Sequence, residues 1–184
     1  MKGFAKFRDG FVGPIVILTV IGLVCTWAVA ATYVSTKPLI DEQDRLAAET
    51  ARQEALAAGE DFVQYLDVEL PEGVTEAYWA GNGAGFVFQA AFRGYGGDVP
   101  FMIGIDSGGK IAGIKMLEND ETPGLGSKIG NKEYLDGYLG GGDPGAVDGV
   151  TGATRTSSAL KKALSAALEA YEQLKDITPA KEGN

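Results

Sequence analysis

From Gly10 to Thr36 the chain runs for 27 positions without a charged residue, and the stretch includes Ile15-Val16-Ile17-Leu18 and Ile21-Gly22-Leu23-Val24. About 20 mostly apolar residues are enough for a helix to cross a bilayer, so this segment ties the chain to a membrane before any other motif is considered. Ala28-Val29-Ala30 has the small-residue pattern of a signal-peptide cleavage site. The apolar run is longer than the usual signal core of about 7–15 residues and continues to Tyr33 and Val34, which favours an uncleaved anchor. Lys2, Lys6 and Arg8 precede the span and Lys37 alone follows it immediately. The positive-inside rule then puts the N-terminus in the cytoplasm and the bulk of the chain outside, in the inner (cytoplasmic) membrane of the cell as a single-pass protein. Trp27 and Tyr33 stand where interfacial anchors would, or pack on neighbouring helices, and Cys25 fits a small apolar packing role.

Charge divides the chain the same way. Lys2, Lys6 and Arg8 against Asp9 give residues 1–36 a charge of +2, which leaves −11 for the rest of a chain whose net charge is −9. An acidic exposed part repels phosphate backbones, so nucleic acid is not an expected partner. One cysteine and no histidine set aside disulfide frameworks, zinc and iron–sulfur ligand sets and histidine-based hydrolase triads. Neither a catalytic residue nor a metal site is expected.

Beyond the span, Pro38 suits the first turn of a new helix. Leu39 to Ala58 is rich in Ala, Glu, Gln, Arg and Leu before Gly59, which predicts a solvated helical stalk. Phe62, Val63, Tyr65 and Leu66 open the folded domain. Glu76 to Ala80 is a short strand, Gly81 to Gly85 a hairpin-type turn, and Phe86, Phe88, Ala90 and Phe92 alternate with Val87, Gln89 and Ala91 as a strand with one aromatic, core-facing side. Val99 to Asp106 and Lys110 to Leu117 pair across Ser107-Gly108-Gly109. Asn131 to Leu139 is a short helix. After residue 154, Leu160, Ala163, Leu164, Ala167, Leu168, Tyr171 and Leu174 recur at helical spacing, giving a helix that packs one side on the sheet. The expected fold is α+β: one N-terminal transmembrane helix (1–36), a stalk (37–60), a domain with an antiparallel sheet packed by helices (61–177) and a frayed tail (178–184).

Two stretches carry chemistry. Asp148-Gly149-Val150-Thr151-Gly152-Ala153-Thr154 leaves little bulk beside the Thr154 hydroxyl. A helix opening just after it would aim unpaired N–H groups and a positive dipole end at the same spot, which suits a phosphate. Arg155 adds positive charge, and the hydroxyls of Thr156, Ser157 and Ser158 are placed to cap the helix. The plain alternative is a glycine-rich turn with a Ser/Thr cap. It is neither a Walker-type loop nor a dinucleotide fingerprint. Glu121-Thr122-Pro123-Gly124-Leu125-Gly126 is a turn whose glycines let backbone approach something flat or crowded.

These stretches resemble, motif by motif, the FMN-binding domain family found in the G subunit of Rnf complexes and the C subunit of sodium-pumping NADH:quinone reductases. Its flavinylation motif, Asp-Gly-x-Thr-Gly/Ser-Ala-Thr, is matched from Asp148 to Thr154. Gly94-Tyr95-Gly96-Gly97, a strand hairpin and Glu121 to Gly126 follow in the family's order, so the resemblance spans about Gly94 to Ser158. It implies FMN joined covalently through a phosphoester to Thr154 by a flavin transferase, with Asp148, Thr151, Gly152, Ala153, Arg155 and Thr156 around the phosphate. It also implies that Glu121, Thr122, Pro123, Gly124, Leu125 and Gly126 lie beside the flavin ring. Asp148 either assists the transferase or caps its own turn. The resemblance further implies an electron-carrier subunit gripped by other membrane subunits of the same redox complex, an ion-translocating ferredoxin:NAD oxidoreductase of the Rnf type, with no independent activity. The quinone reductase C subunit, typically a longer chain, is the near alternative. A membrane-anchored protein that holds a phosphate ligand reversibly is the alternative outside redox chemistry, and a stand-alone flavin reductase lacks a visible substrate or NAD signature.

Overall fold

The computed structural model describes residues 12–177. Lys2, Lys6 and Arg8, on which the orientation rests, and the tail from Thr178 lie outside the described residues. The chain divides into two compact units, one ending at Ala47 and one beginning at Ala48.

The described part of the first unit is helical. A single helix, α1, runs Val12–Ala55 with Pro38 inside it. It is long and apolar enough, by length and composition, to cross a membrane. Thr19, Thr32 and Ser35 each donate a hydroxyl hydrogen bond to the carbonyl four residues earlier, at 2.9, 2.9 and 3.0 Å, so these polar groups are satisfied within the helix, as lipid surroundings would require. The new helix expected at Pro38 does not form separately. Proline forfeits one backbone hydrogen bond, and strong helix formers after it carry the ladder on.

The second unit is a five-stranded sheet with the spatial order of the chain, β1 (Phe62–Gln64), β2 (Val74–Ala80), β3 (Gly85–Arg93), β4 (Asp98–Asp106) and β5 (Ile111–Met116). All four neighbouring pairs are antiparallel. A short helix, α2 (Lys132–Leu135), follows β5, and α3 (Thr154–Leu174) closes the fold.

The aromatic side of β3 is core, as its alternation predicts. Phe86 and Phe88, with Phe101 and Ile103 of β4, pack under Leu160 and Leu164 of α3. Each such side chain, fully removed from water, contributes about 1.5–3 kcal/mol. The alternation gives no hint that the opposite face is covered too. Val87, Met102, Tyr78 and Ala80 form a second cluster with Ala51, Ala55 and Leu56. The last turns of the segment read as a solvated stalk are therefore buried against the sheet. Close approach makes this possible: a Cβ on Gly104 of β4 would stand 2.0 Å from the Ala55 carbonyl oxygen, and one on Gly113 of β5 2.4 Å from it. The Arg52 guanidinium lies 4.4 Å from the Tyr78 ring centroid, and Lys115 pairs with Glu54 at 2.6 Å. Burial is the main reason the Tyr78 hydroxyl is pushed up to about 12.

Candidate functional site

The site is assembled around one buried carboxylate. Glu121, 7 % exposed, sits in the segment after β5 where its own N–H donates to Asn119 Oδ1 (3.1 Å). Its Oε1 accepts the N–H groups of Tyr95 (2.7 Å) and Gly96 (3.1 Å), and its Oε2 accepts the Thr156 hydroxyl (2.8 Å). Three segments that are remote in sequence are thereby tied together: the turn between β3 and β4, the loop after β5 and the first turn of α3. Hydrogen bonds to a charged group are worth about 1.5–3 kcal/mol each, which offsets the cost of taking the carboxylate out of water. The neighbouring glycines make room for it. A Cβ on Gly94 would lie 2.2 Å from Oε1 and one on Gly126 2.0 Å from Oε2.

Thr154 stands exposed at the first position of α3, after Ala153 at the cap. The Ser157 N–H donates to the Ala153 carbonyl (2.9 Å), so the N–H groups of Thr154, Arg155 and Thr156 precede the helical ladder and have no acceptor within it. The expected Ser/Thr cap does not occur; among the described residues no side chain caps this helix. Thr156 is buried and spends its hydroxyl on Glu121, and Ser157 is buried with its Oγ accepting the Val150 N–H (3.1 Å), which folds the motif loop back on the helix. A hydroxyl turned toward the protein cannot reach the open end of its own helix.

A cleft of about 480 Å³ opens at this point, between the two glycine-rich loops and the start of α3. Glu121, Thr122, Leu125 and Gly126 line one side, and Gly152, Ala153, Thr154, Arg155 and Thr156 the other. The two stretches singled out in the sequence thus meet, with Leu125 Cδ2 3.4 Å from where a Gly152 Cβ would stand. Gly152 has φ +86°, a conformation in which any side chain would be strained. Asp148, Thr151, Pro123 and Gly124 are exposed and outside the lining. Gly124 donates its N–H to Ser127 Oγ (2.8 Å). The Asp148 carbonyl accepts the Tyr134 hydroxyl (3.1 Å), while among the described residues its carboxylate makes no hydrogen bond, so it does not cap the turn.

Tyr95 also lines the cleft, with 70 % of its surface exposed. Sequence reading gave this ring no role. The available signal was a large aromatic between glycines, a place where nothing local can bury it.

The FMN-binding domain family model matches residues 94–169, from the Tyr95 turn to the middle of α3. The G subunit of the Na(+)-translocating ferredoxin:NAD(+) oxidoreductase complex of Acetobacterium woodii is 30% identical, over 86% of this chain and 90% of the relative. The G subunits of the ion-translocating oxidoreductase complexes of Stutzerimonas stutzeri and Shewanella amazonensis are 32% and 30% identical, over 81% and 83% of this chain and 77% and 84% of theirs. With its motifs meeting at one cleft and its likeness running nearly end to end, the chain belongs to the family of G subunits of ion-translocating, Rnf-type oxidoreductase complexes and carries that family's FMN-binding domain.

Proposed function

We propose that the protein is a membrane-anchored electron carrier of an ion-translocating ferredoxin:NAD oxidoreductase complex, with FMN attached by a phosphoester to Thr154. The observation that carries this reading is the exposed Thr154 hydroxyl in the first turn of α3, opening onto a cleft shared by both glycine-rich loops. The residues suit the group. The volume lies within the range of about 300–1,000 Å³ typical of cofactor sites. Unpaired N–H groups at a helix start, with Arg155 beside them, favour a phosphate. Leu125 and the Tyr95 ring supply apolar surface for a flat ring, and neither Gly126 nor Gly152 obstructs it.

Bound FMN supplies the redox chemistry, taking up and giving up electrons. This chain's residues hold and expose it. Thr154 Oγ would form the bond to phosphorus as a P–O bond of the flavin donor breaks and its leaving group departs. The hydroxyl proton would be taken up by the flavin transferase that makes the ester, a net addition of FMN less one water. The first turn of α3 would orient the phosphate, and Glu121 would keep the two loops in register with that turn. Tyr95 and Leu125, 70 % and 46 % exposed, leave the cleft mouth open to a redox partner. All three relatives are G subunits, which favours this reading over a quinone reductase C subunit. The other membrane subunits of the complex are the partners it implies.

Protein purified after co-expression with a flavin transferase is expected to carry one FMN less a water in its intact mass, and to fluoresce under ultraviolet light in a denaturing gel. An unmodified mass with flavin released on denaturation would point instead to a reversibly held phosphate ligand.

The anchor would be α1, with the N-terminus cytoplasmic and the FMN domain on the outer face of the cytoplasmic membrane. Protease added to intact spheroplasts should then digest the domain beyond Lys37. Protection there, with cleavage only in inverted vesicles, would reverse the orientation.

A further inference from the structure

We infer that Glu121 sets the reduction potential of the bound flavin, acting as a fixed negative charge in the cleft wall that holds the potential down. This rests on the reading of the cleft as the FMN site.

Hydrogen bonding alone does not call for a charge at this position. All three partners of the side chain donate to it: the N–H groups of Tyr95 and Gly96 to Oε1, and the Thr156 hydroxyl to Oε2. A glutamine of the same shape could make equivalent bonds. Its carbonyl would accept both N–H groups, and its NH2 would donate to Thr156 Oγ1, since a hydroxyl accepts as readily as it donates. A carboxylate in place of that amide costs more desolvation, which its stronger charge-assisted bonds offset, but it makes no hydrogen bond that the amide could not. Glu121 nonetheless lines the cleft, 7 % exposed, with Gly94 and Gly126 kept bare beside its carboxylate oxygens.

Position gives the charge its effect. The charged residues of the lining are Glu121 and Arg155. Arg155 is exposed at the helix start, where water screens it and the phosphate would neutralise it. Glu121 is buried, where a charge is screened far less. Reduction adds negative charge to the flavin, and a buried anion in the wall opposes it.

The test is a spectroelectrochemical titration of the full chain, loaded with FMN by a flavin transferase, as wild type, Glu121→Gln and Glu121→Asp. Glu121→Gln should raise the midpoint potential by on the order of a tenfold change in the reduction equilibrium, about 30 mV for a two-electron couple. Glu121→Asp keeps the charge and should shift it less. A loaded Glu121→Gln protein with an unchanged or lower potential overturns the inference. So does a Glu121→Gln protein that takes up no FMN while wild type does, because the negative charge would then be needed to assemble the loops, which the hydrogen bonds of a glutamine should hold, and not to tune the flavin. A wild type without FMN sinks the site reading itself, a result distinct from both.

Discussion

Thr154→Ala is expected to abolish covalent FMN completely, with loss of both the added mass and the in-gel fluorescence, while leaving the fold in place. Thr154 is exposed, and its side chain does not cap the helix. Alanine is a good residue for the first turn, so the stability change should stay within about 0.5 kcal/mol. An unshifted melting curve beside a missing flavin would separate loss of the attachment atom from unfolding. The structure also ranks the substitutes. Thr156 is buried with its hydroxyl on Glu121, and Thr151 lies outside the cleft lining. Flavin moved to either of them in the alanine variant would therefore be an unwelcome result for the assignment. Thr154→Ser keeps the hydroxyl and is expected to retain flavin.

How far this site could be read in advance depended on what each residue answers to. Thr154 and the Leu125 turn, which line one cleft, could be named as candidates because their features are local: small neighbours, a helix start, a turn of glycines. Glu121 was named only as part of its loop, because its three donors come from residues 25 to 35 positions away, and no local pattern encodes such a meeting. Thr156 and Ser157 look like caps in sequence because they follow a glycine-rich turn. Whether a hydroxyl faces the helix end or the core is a question of tertiary packing. The strands were legible from alternation and turn residues, and the aromatic face of β3 from its period. The second buried face was not, because Val87 and Met102 read equally well as ordinary alternation partners. Its trace in the sequence was Gly104 and Gly113, two glycines inside strand patterns, which mark places where another backbone comes close.

Those glycines lead to the second large effect. Gly104→Val should destabilise the domain by about 3 kcal/mol, roughly 10 °C in Tm. The new Cβ would meet the Ala55 carbonyl oxygen, a backbone atom with no rotamer to escape into. Gly104 and Gly113 are direct cross-strand partners, so the helix end has no neighbouring groove to slide into. Gly97→Ala is the matched control, since nothing lies within 4 Å of its Cβ position. Thermal melts of the two variants in the same detergent decide the matter. If Gly104→Val melted with the control, the end of α1 would not be seated on the sheet as described.

The covering of the sheet by α3 bears on how the protein matures. Each strand pairs with the one synthesised just before it, so the sheet can grow as the chain leaves the ribosome. Phe86, Phe88, Phe101 and Ile103 wait longer, because Leu160 and Leu164 reach them from the last element. Thr154 opens that late helix, and its cleft needs loops ordered by Glu121 and Thr156. On the proposed assignment, the cleft around the attachment point is complete only after the interior has closed. The seat for the flavin ring is then a product of the whole fold: a copy whose interior has not closed lacks the cleft that would hold the ring, whatever the state of its Thr154 hydroxyl.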